Sequence, residues 1–515
     1  MTDQELDVVR QLFTTLAAKY PRNLVRSMYF DAKMPLKPTG NIPEEAMSRI
    51  AAVLDWPEKA VSALAERSVF EGFVTPGGQQ DPFELAGVLD ANRFDLELPQ
   101  AITSAYKHSC SFITTALGDV QSGEPDVMVM SRSAEWSTAI WDARRRVISA
   151  ALTVTGTDAD GAPNAMDIWL PDVVLSMTRR PSGSWATDRL PNPLGEVLVE
   201  PLTYDPQIDR PFGRSRISRP VMNITDHALT TIVRTEISAD FYAAPRMMAL
   251  GVTQDAFSRG KWQAAIDRWF AISKDEDGDT PTVQQFPQMT MQPLTELYRM
   301  YATQFSGATG VPVANLGIVT DNPPSAEALY ADDRRLVNTA KRQNRIMASS
   351  LRRVAQKIVR LRDGSELTPE LQQIDASWAN PAFTSPTAAA DALQKLSLVF
   401  PWLSESEVAL EFAGFSHTEI TRLLSDKRRS QTTSALSVFA NAANATGQSS
   451  AQDATASSDP LQEANVLKAK ADALGVLRRA GVEAKDAARL AGLSDVVFIP
   501  GQPITIREQG NDNQG

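Results

Sequence analysis

The chain has 515 residues but only one cysteine, Cys110, and three histidines, His108, His227 and His417. A single thiol excludes an internal disulfide framework and a cysteine-rich zinc or iron–sulfur centre. Three scattered histidines leave little material for metal or triad chemistry. Positive charge is also in the minority: 51 Lys and Arg face 62 Asp and Glu, for a formal charge of -11. A chain of this sign does not coat DNA by neutralising phosphates, although an acidic wall can surround DNA without gripping it. No uninterrupted apolar run approaches the roughly 18 residues of a membrane span. The opening MTDQELDVVR lacks both a basic start and an apolar core, so no signal peptide is expected.

Reaction motifs are missing as well. There is no GxxxxGK[ST] phosphate loop, no HExxH and no GxSxG, and the glycines of EGFVTPGG at Gly72, Gly77 and Gly78 do not make a dinucleotide fingerprint. Asp332 and Asp333 are adjacent on a predicted helix, so they point in different directions and cannot form an acid/base couple. The turn DEDGDT alternates Asp275, Asp277 and Asp279 like a calcium loop, but Thr280 stands where glycine is required and Phe286 where the terminal glutamate belongs. No catalytic residue, metal site or cofactor is expected. Cys110, within SCSFITTAL, is expected to be a buried, inert thiol.

What the chain does have is one long periodic stretch, Ser325 to Arg362. Leu329, Leu336, Ala340, Met347, Leu351, Val354 and Ile358 fall on one face of a helix. At about 1.5 Å per residue the helix would span on the order of 55 Å, more than a small core covers, so part of it is expected to meet something other than its own subunit. Its acids Glu327, Asp332 and Asp333 come early and its bases Lys341, Arg342, Arg345, Arg352, Arg353, Lys357 and Arg360 late, with Arg334 and Arg335 the early exceptions, an order that mostly suits the helix dipole. The basic run reads either as a solvated face or as a nucleic-acid or subunit contact.

The rest of the chain is expected to fold as α+β in several domains; hydrophobic residues make up 43% of it. Helices are expected at Thr2 to Tyr20, stopped by Pro21, and at Glu44 to Val53, Pro57 to Ser68, Pro82 to Ala91 and Leu96 to His108, the last with a strand as alternative for its later part. Strands are expected at Val69 to Val74, Asp126 to Met130, Val147 to Val154, Ala165 to Leu175 and Gly195 to Pro201, interrupted by a helix from Ala134 to Arg146. Trp136, Trp141, Trp169 and Trp185 are expected in the layer covering this sheet. A further helix should begin at an Asn223 or Thr225 cap and run to Pro245, with His227 near its first turn in a capping or surface role. Gln254 to Ile272 also reads as a helix, Thr282 to Phe286 as a strand and Leu294 to Ser306 as a helix started by Pro293. Short helices follow at Ala388 to Leu396, Ser404 to Phe412 and His417 to Asp426. Arg429 to Pro460 reads as a flexible segment, Leu461 to Arg479 and Glu483 to Gly492 as amphipathic helices.

Between Pro211 and Arg362 the chain carries, in order, FGRSRISRPV, TTIVRTEISADFYAAPRMMALG, PQMTMQPLTELYRMY, TGVPVANLG and NPPSAEALYADDRRLV. This series resembles the SPP1-type portal family of tailed bacteriophages, more weakly also in the N-terminal helices and in LKAKADALGVLRRAGVEAKDAARLAGL. The resemblance implies a phage portal fold with a long central helix, assembled as a ring of twelve subunits in the virion at the capsid's portal vertex, with host cytoplasm as the place of assembly. It implies a wing region at residues 1–218, a first stem helix at 219–249, a clip at 250–291, a second stem helix at 292–308 and a tunnel loop at 309–324. The long wing helix would be 325–362, a crown 363–430, a flexible linker 431–460 and a C-terminal helical unit and tail 461–515. Val311, Asn315, Leu316, Gly317, Thr320, Asp321 and Asn322 would then form the channel loop, and Leu336, Arg342, Arg345, Leu351 and Arg352 a subunit contact. The implied partners are other copies of the chain, double-stranded DNA bound without sequence preference, a terminase ATPase/nuclease, the major capsid or scaffold protein and a head–tail adaptor, with no membrane. The alternative is a capsid-associated scaffold or head-completion protein without a DNA passage role; a nuclease or ATPase comes third.

Overall fold

The computed structural model describes residues 1–35, 50, 52–76, 81–243, 247–250, 282–285, 290–318, 326–382, 386–415, 419–430 and five positions between 470 and 493. The chain divides into two compact units, Met1–His417 and Thr418–Gly515. In the second, residues 419–430 are helical. The expected helix at 254–272, the acidic turn at 275–280, the linker at 431–460 and most of the C-terminal helices lie outside the described residues, as do 44–49 of the expected second helix.

The first unit opens with helix α1, Asp3–Phe30, where Thr2 accepts from the Glu5 amide and Glu5 returns the bond to the Thr2 amide. Pro21, expected to stop this helix, lies inside it. A proline costs a helical bond at its own position but does not prevent the turns beyond it when tertiary contacts hold them. Here Asn23 donates to the Ala134 carbonyl at 2.8 Å, Arg26 to the His108 carbonyl at 2.8 Å and Tyr29 to Asp226 at 2.8 Å.

Helix α2, Trp56–Ala65, strand β1, Phe70–Val74, and helices α3, Leu85–Ala91, and α4, Phe94–His108, lead into the sheets. Thus the stretch from Leu96 is helical throughout. Strands β2, Cys110–Leu117, and β3, Val127–Ser133, come next, followed by β4, Ser137–Asp142, and β5, Val147–Thr157. The expected helix at Ala134 to Arg146 is therefore a turn, a strand and a second turn. Strands β6, Pro163–Trp169, β7, Val173–Arg179, β8, Trp185–Pro191, and β9, Val199–Thr203, complete the series. What reads as one strand from Ala165 to Leu175 is two, closed by a turn in which the Leu170 amide donates to the Val173 carbonyl at 3.0 Å.

These strands form an antiparallel three-stranded sheet, β3-β2-β9, and an antiparallel five-stranded sheet, β4-β5-β6-β7-β8. Val9, Leu12 and Leu16 of α1 pack with Leu152, Met166, Ile168, Leu175 and Met177 of the larger sheet. Trp169 is buried and its indole donates to Thr153 at 2.9 Å; Trp136 and Trp141 pack against the core, whereas Trp185 is exposed. On β2 the run from Cys110 to Thr115 is buried throughout. Successive strand side chains point to opposite faces, so the smaller sheet is covered on both sides, and α4 and the long helix supply the cover. Burial pushes the Cys110 thiol up to about 11, which keeps it protonated and inert.

Helix α5, Arg219–Ala243, starts earlier than the Asn223 or Thr225 cap would place it, with Pro220 in its first turn, where a missing amide costs nothing. Strands β10, Met247–Leu250, and β11, Thr282–Gln285, pair antiparallel, and helix α6, Gln292–Thr309, returns alongside α5. The long helix α7, Ala326–Asp363, follows. Helix α8, Pro369–Gln372, and strand β12, Asp375–Trp378, close the body, because β12 pairs with β1. That pairing carries the body beyond residue 363. Helices α9, Pro386–Val399, and α10, Glu407–Phe412, complete the unit.

Candidate channel segment and its anchorage

The segment between α6 and α7 begins at Gly310, a left-handed C-cap whose amide donates to the Ser306 carbonyl at 2.7 Å. Val311 then turns inward and is fully buried. A 3-10 turn, Val313–Leu316, ends at Gly317, again left-handed, and buries Leu316. Val311 and Leu316 join a cluster made by Trp56 and Ala60 of α2, Val221 and Ala228 of α5, and Ala302 and Phe305 of α6. Trp56 meets Tyr298 and Phe305, each with ring centroids 5.3 Å apart, and burial raises the Tyr298 phenol above its ordinary range. His227 stacks on Tyr301 at 5.6 Å, joining α5 to α6 from an exposed position. The segment is thus pinned at two apolar points while Ala314, Asn315 and Gly317 remain exposed.

Electrostatics hold the end of α6 from the other side. The last carbonyls of a helix lack partners within it and carry the negative end of its dipole. Buried Arg216 donates to the Thr309 carbonyl at 3.0 Å, to the Ala60 carbonyl and to Tyr204 at 3.3 Å. Arg335 of α7 donates to the Gly307 carbonyl at 2.8 Å. Next to them Asp205, with positive φ, accepts from Arg214 at 2.5 Å and from Arg342. Gln343 takes the Asp205 amide at 3.1 Å and donates to the Thr203 carbonyl at 2.5 Å. The turn that aims Arg214 requires Gly213: its φ is 67°, and a Cβ there would stand 2.0 Å from the Tyr204 carbonyl oxygen.

Of the residues expected in the channel loop, Val311 and Leu316 are interior anchors, Asn315 and Gly317 lie at the surface, and Thr320, Asp321 and Asn322 lie outside the described residues. From Val311 to Ile318 no side chain is ionisable. Such a surface can lie against a polyanion without a cationic grip. Of the residues expected at a subunit contact, Leu336 and Leu351 are buried in this body's own core, with Ala340, Met347, Val354 and Ile358. The apolar face of α7 is occupied by β2, β9 and β12, so from Leu336 onward the helix is not too long for its own subunit. Arg345 is exposed, Arg342 pairs with Asp205, and Arg352 with Asp375 at 3.0 Å.

Sequence reasoning missed Trp56, Asp205 and Arg216 as the parts that hold this segment. FGRSRISRPV contains Arg216, but two of its three polar partners are the backbone carbonyls of Ala60 and Thr309, which leave no trace in residue type. Among the described residues, no group of His, Cys, Asp and Glu is placed to hold a metal ion, and no helix is long and apolar enough to cross a membrane.

Among solved structures, the chain is similar to the neck of a native GTA particle computed with C12 symmetry, with a TM-score of 0.39 and 13% identity over 78% of this chain and 98% of that one. It is 26% identical over 378 residues to the portal protein of Mycobacterium phage L5, covering 72% of this chain and 77% of that protein. The portal protein of Mycobacterium phage D29 is likewise 26% identical, over 390 residues and the same shares. Residues 11–432 match the family described as phage portal protein, SPP1 Gp6-like, and with most of its length inside that match the chain belongs to this family.

Proposed function

We propose that this protein is the portal vertex subunit of a tailed phage. In this reading copies of the chain close into a ring, double-stranded DNA enters and leaves the capsid through its axis, and the ring docks the terminase and the head–tail connector. The observation that carries the reading is the family match across residues 11–432. The geometry around the segment after α6 supports it. A channel loop needs a fixed base and a surface that does not hold phosphate, and Val311 and Leu316 give the first while the neutral run from Val311 to Ile318 gives the second. Strong cationic contacts would make DNA binding tighter and more salt-dependent, which opposes sliding.

The body made by α1 to β9 with α7 is the wing, α5 and α6 are the stem helices, and the paired strands β10 and β11 are the start and end of the clip. Energy for translocation comes from the terminase. The ring stands in the virion at the capsid vertex after assembly in the host cytoplasm.

The test is imaging of purified protein followed by packaging. A ring with an open axial hole is expected, and replacing Asn315 to Thr320 by two glycines should preserve the ring while lowering DNA packaging or retention. Rings that lack an axial hole would favour a scaffold or head-completion role. Mutant rings that package and retain DNA at the unmodified level would remove the loop from the mechanism.

A further inference from the structure

A cleft of about 740 Å³ opens beside the last turn of α6, between the long helix and the stretch from Tyr204 to Ser218. Its wall carries Arg214, Arg216, Arg334, Arg335 and Arg342 against a single carboxylate, Asp205. The whole chain has a formal charge of -11, so this is a local inversion of sign, and everything outside the cleft is more acidic than the total. Internal contacts account for part of the cluster. Arg216 and Arg335 cap α6, and Arg214 and Arg342 share Asp205. They do not neutralise it: the side chains of Arg214 and Arg342 are 59% and 63% exposed, and Arg334 has no hydrogen-bond or ion-pair partner among the described residues.

Size and lining narrow the ligand. A DNA duplex is too wide to enter and could touch only the rim. A nucleotide base would need a free apolar or aromatic wall, but the Tyr204 ring is already covered by Arg216 and Tyr106. A short stretch of polypeptide fits the volume, and carboxylates are its side chains that match guanidinium groups, as Asp205 does inside the cleft. A closed ring uses two different complementary patches on each subunit, unlike a two-fold dimer. A cationic cleft on an otherwise acidic chain is one half of such a pair.

We propose that this cleft receives carboxylate side chains from a second copy of the chain, the neighbour in the ring. The proposal rests on the ring reading above. Arg334→Glu combined with Asn338→Glu reverses the outer wall without touching Asp205 or the α6 cap. Native mass spectrometry or analytical ultracentrifugation of the full chain, across protein concentration and salt, reads the effect. The assembly midpoint should rise at least tenfold in concentration, and its salt dependence should flatten, while circular dichroism and the thermal midpoint of the subunit stay unchanged. Arg334→Lys should assemble as the unmodified chain does. If the double variant does not fold, Arg334→Ala makes the same comparison, with an expected shift of about threefold. Unchanged assembly and salt response would overturn the proposal, and so would unchanged assembly accompanied by loss of affinity for a short fluorescent duplex, which would make the cleft a nucleic-acid site. If the unmodified chain stays monomeric under every condition, the ring reading itself fails and takes this one with it; rings that tolerate the reversed wall remove only the cleft.

Discussion

Lys357 Nζ lies 2.7 Å from a carboxylate oxygen of Glu200, and both residues are buried, so a buried ion pair ties α7 to β9 inside the core. Lys357 also donates to the Val197 carbonyl at 2.6 Å, and Arg353 reaches the other Glu200 oxygen at 3.3 Å. Removing one partner of a buried pair strands the other, at a cost of about 3–5 kcal/mol. Glu200→Met strands two cations and should cost that much. Lys357→Met leaves Glu200 with Arg353 and should cost less, and the double variant should recover part of the loss. Chemical denaturation of the four proteins checks the order.

Leu351 is fully buried in the subunit core. Leu351→Ala should destabilise the isolated body by about 2–5 kcal/mol through lost burial and a residual cavity. Arg345→Ala, at an exposed position on the same helix, should change it by less than about 0.5 kcal/mol. Equal effects in thermal unfolding of the subunit would contradict the placement of α7.

His108 provides a pH prediction. Its Nε2 lies 3.0 Å from Ser27, which donates to Glu135 at 2.8 Å, so the ring donates from Nε2 and accepts at Nδ1. Burial first, then Lys107 and Arg26, hold it down from 6.5 to about 3. The unfolded chain therefore binds a proton that the folded chain refuses between these values. Stability is complete above about pH 6.5 and falls by roughly 1.4 kcal/mol per pH unit below it, down to about pH 3. His108→Gln should flatten the slope between pH 6 and pH 4 in urea titrations, whatever it does to stability at pH 7.

Val311→Ala removes part of the apolar anchor beneath the segment proposed as the channel loop, and should cost up to ~1.5–3 kcal/mol, the burial energy of the side chain. Asn315→Ala, at the exposed apex, should leave stability unchanged. Hydrogen exchange at residues 311–318 should rise in the first variant only.

Gly213→Ala forces a Cβ against the Tyr204 carbonyl at a positive φ. The turn must shift, and Arg214 leaves Asp205. Loss of stability exceeding the roughly 1 kcal/mol of a simple left-handed penalty is expected, measured by denaturant midpoint.

Much of this architecture was legible where one element satisfies its own pattern. The period of α7 placed Leu336 through Ile358 correctly on one face, and Pro293 marked the start of α6 to within two residues. Legibility failed where a distant partner decides. The stretch from Ala134 to Arg146 has helix-forming residues at both ends, but pairing of Ser137–Asp142 with β5 overrides them, because strand preference reflects the surface a segment packs on. Strand β8, largely exposed, carries no apolar alternation to reveal it. The length of α7, about 55 Å, does not say what covers it: β2, β9 and β12 cover its apolar face within the subunit, while Arg334, Arg342 and Arg345 stay exposed. The anchorage of the segment from Gly310 to Ile318 escaped for a related reason, since Trp56 and Arg216 reach it only through the folded body.

The antiparallel pairing of Phe70–Val74 with Asp375–Trp378 also sets a timetable for biosynthesis. The first strand leaves the ribosome about 300 residues before its partner, and at about 5–20 residues per second it waits on the order of 15–60 s. Meanwhile α5 and α6, with everything between them, emerge as an insertion inside an unfinished body. Until β12 arrives the edge of Phe70–Val74 has no strand partner, so in the ring proposed above a subunit becomes competent to associate only after nearly three-quarters of the chain, through residue 378, has been made.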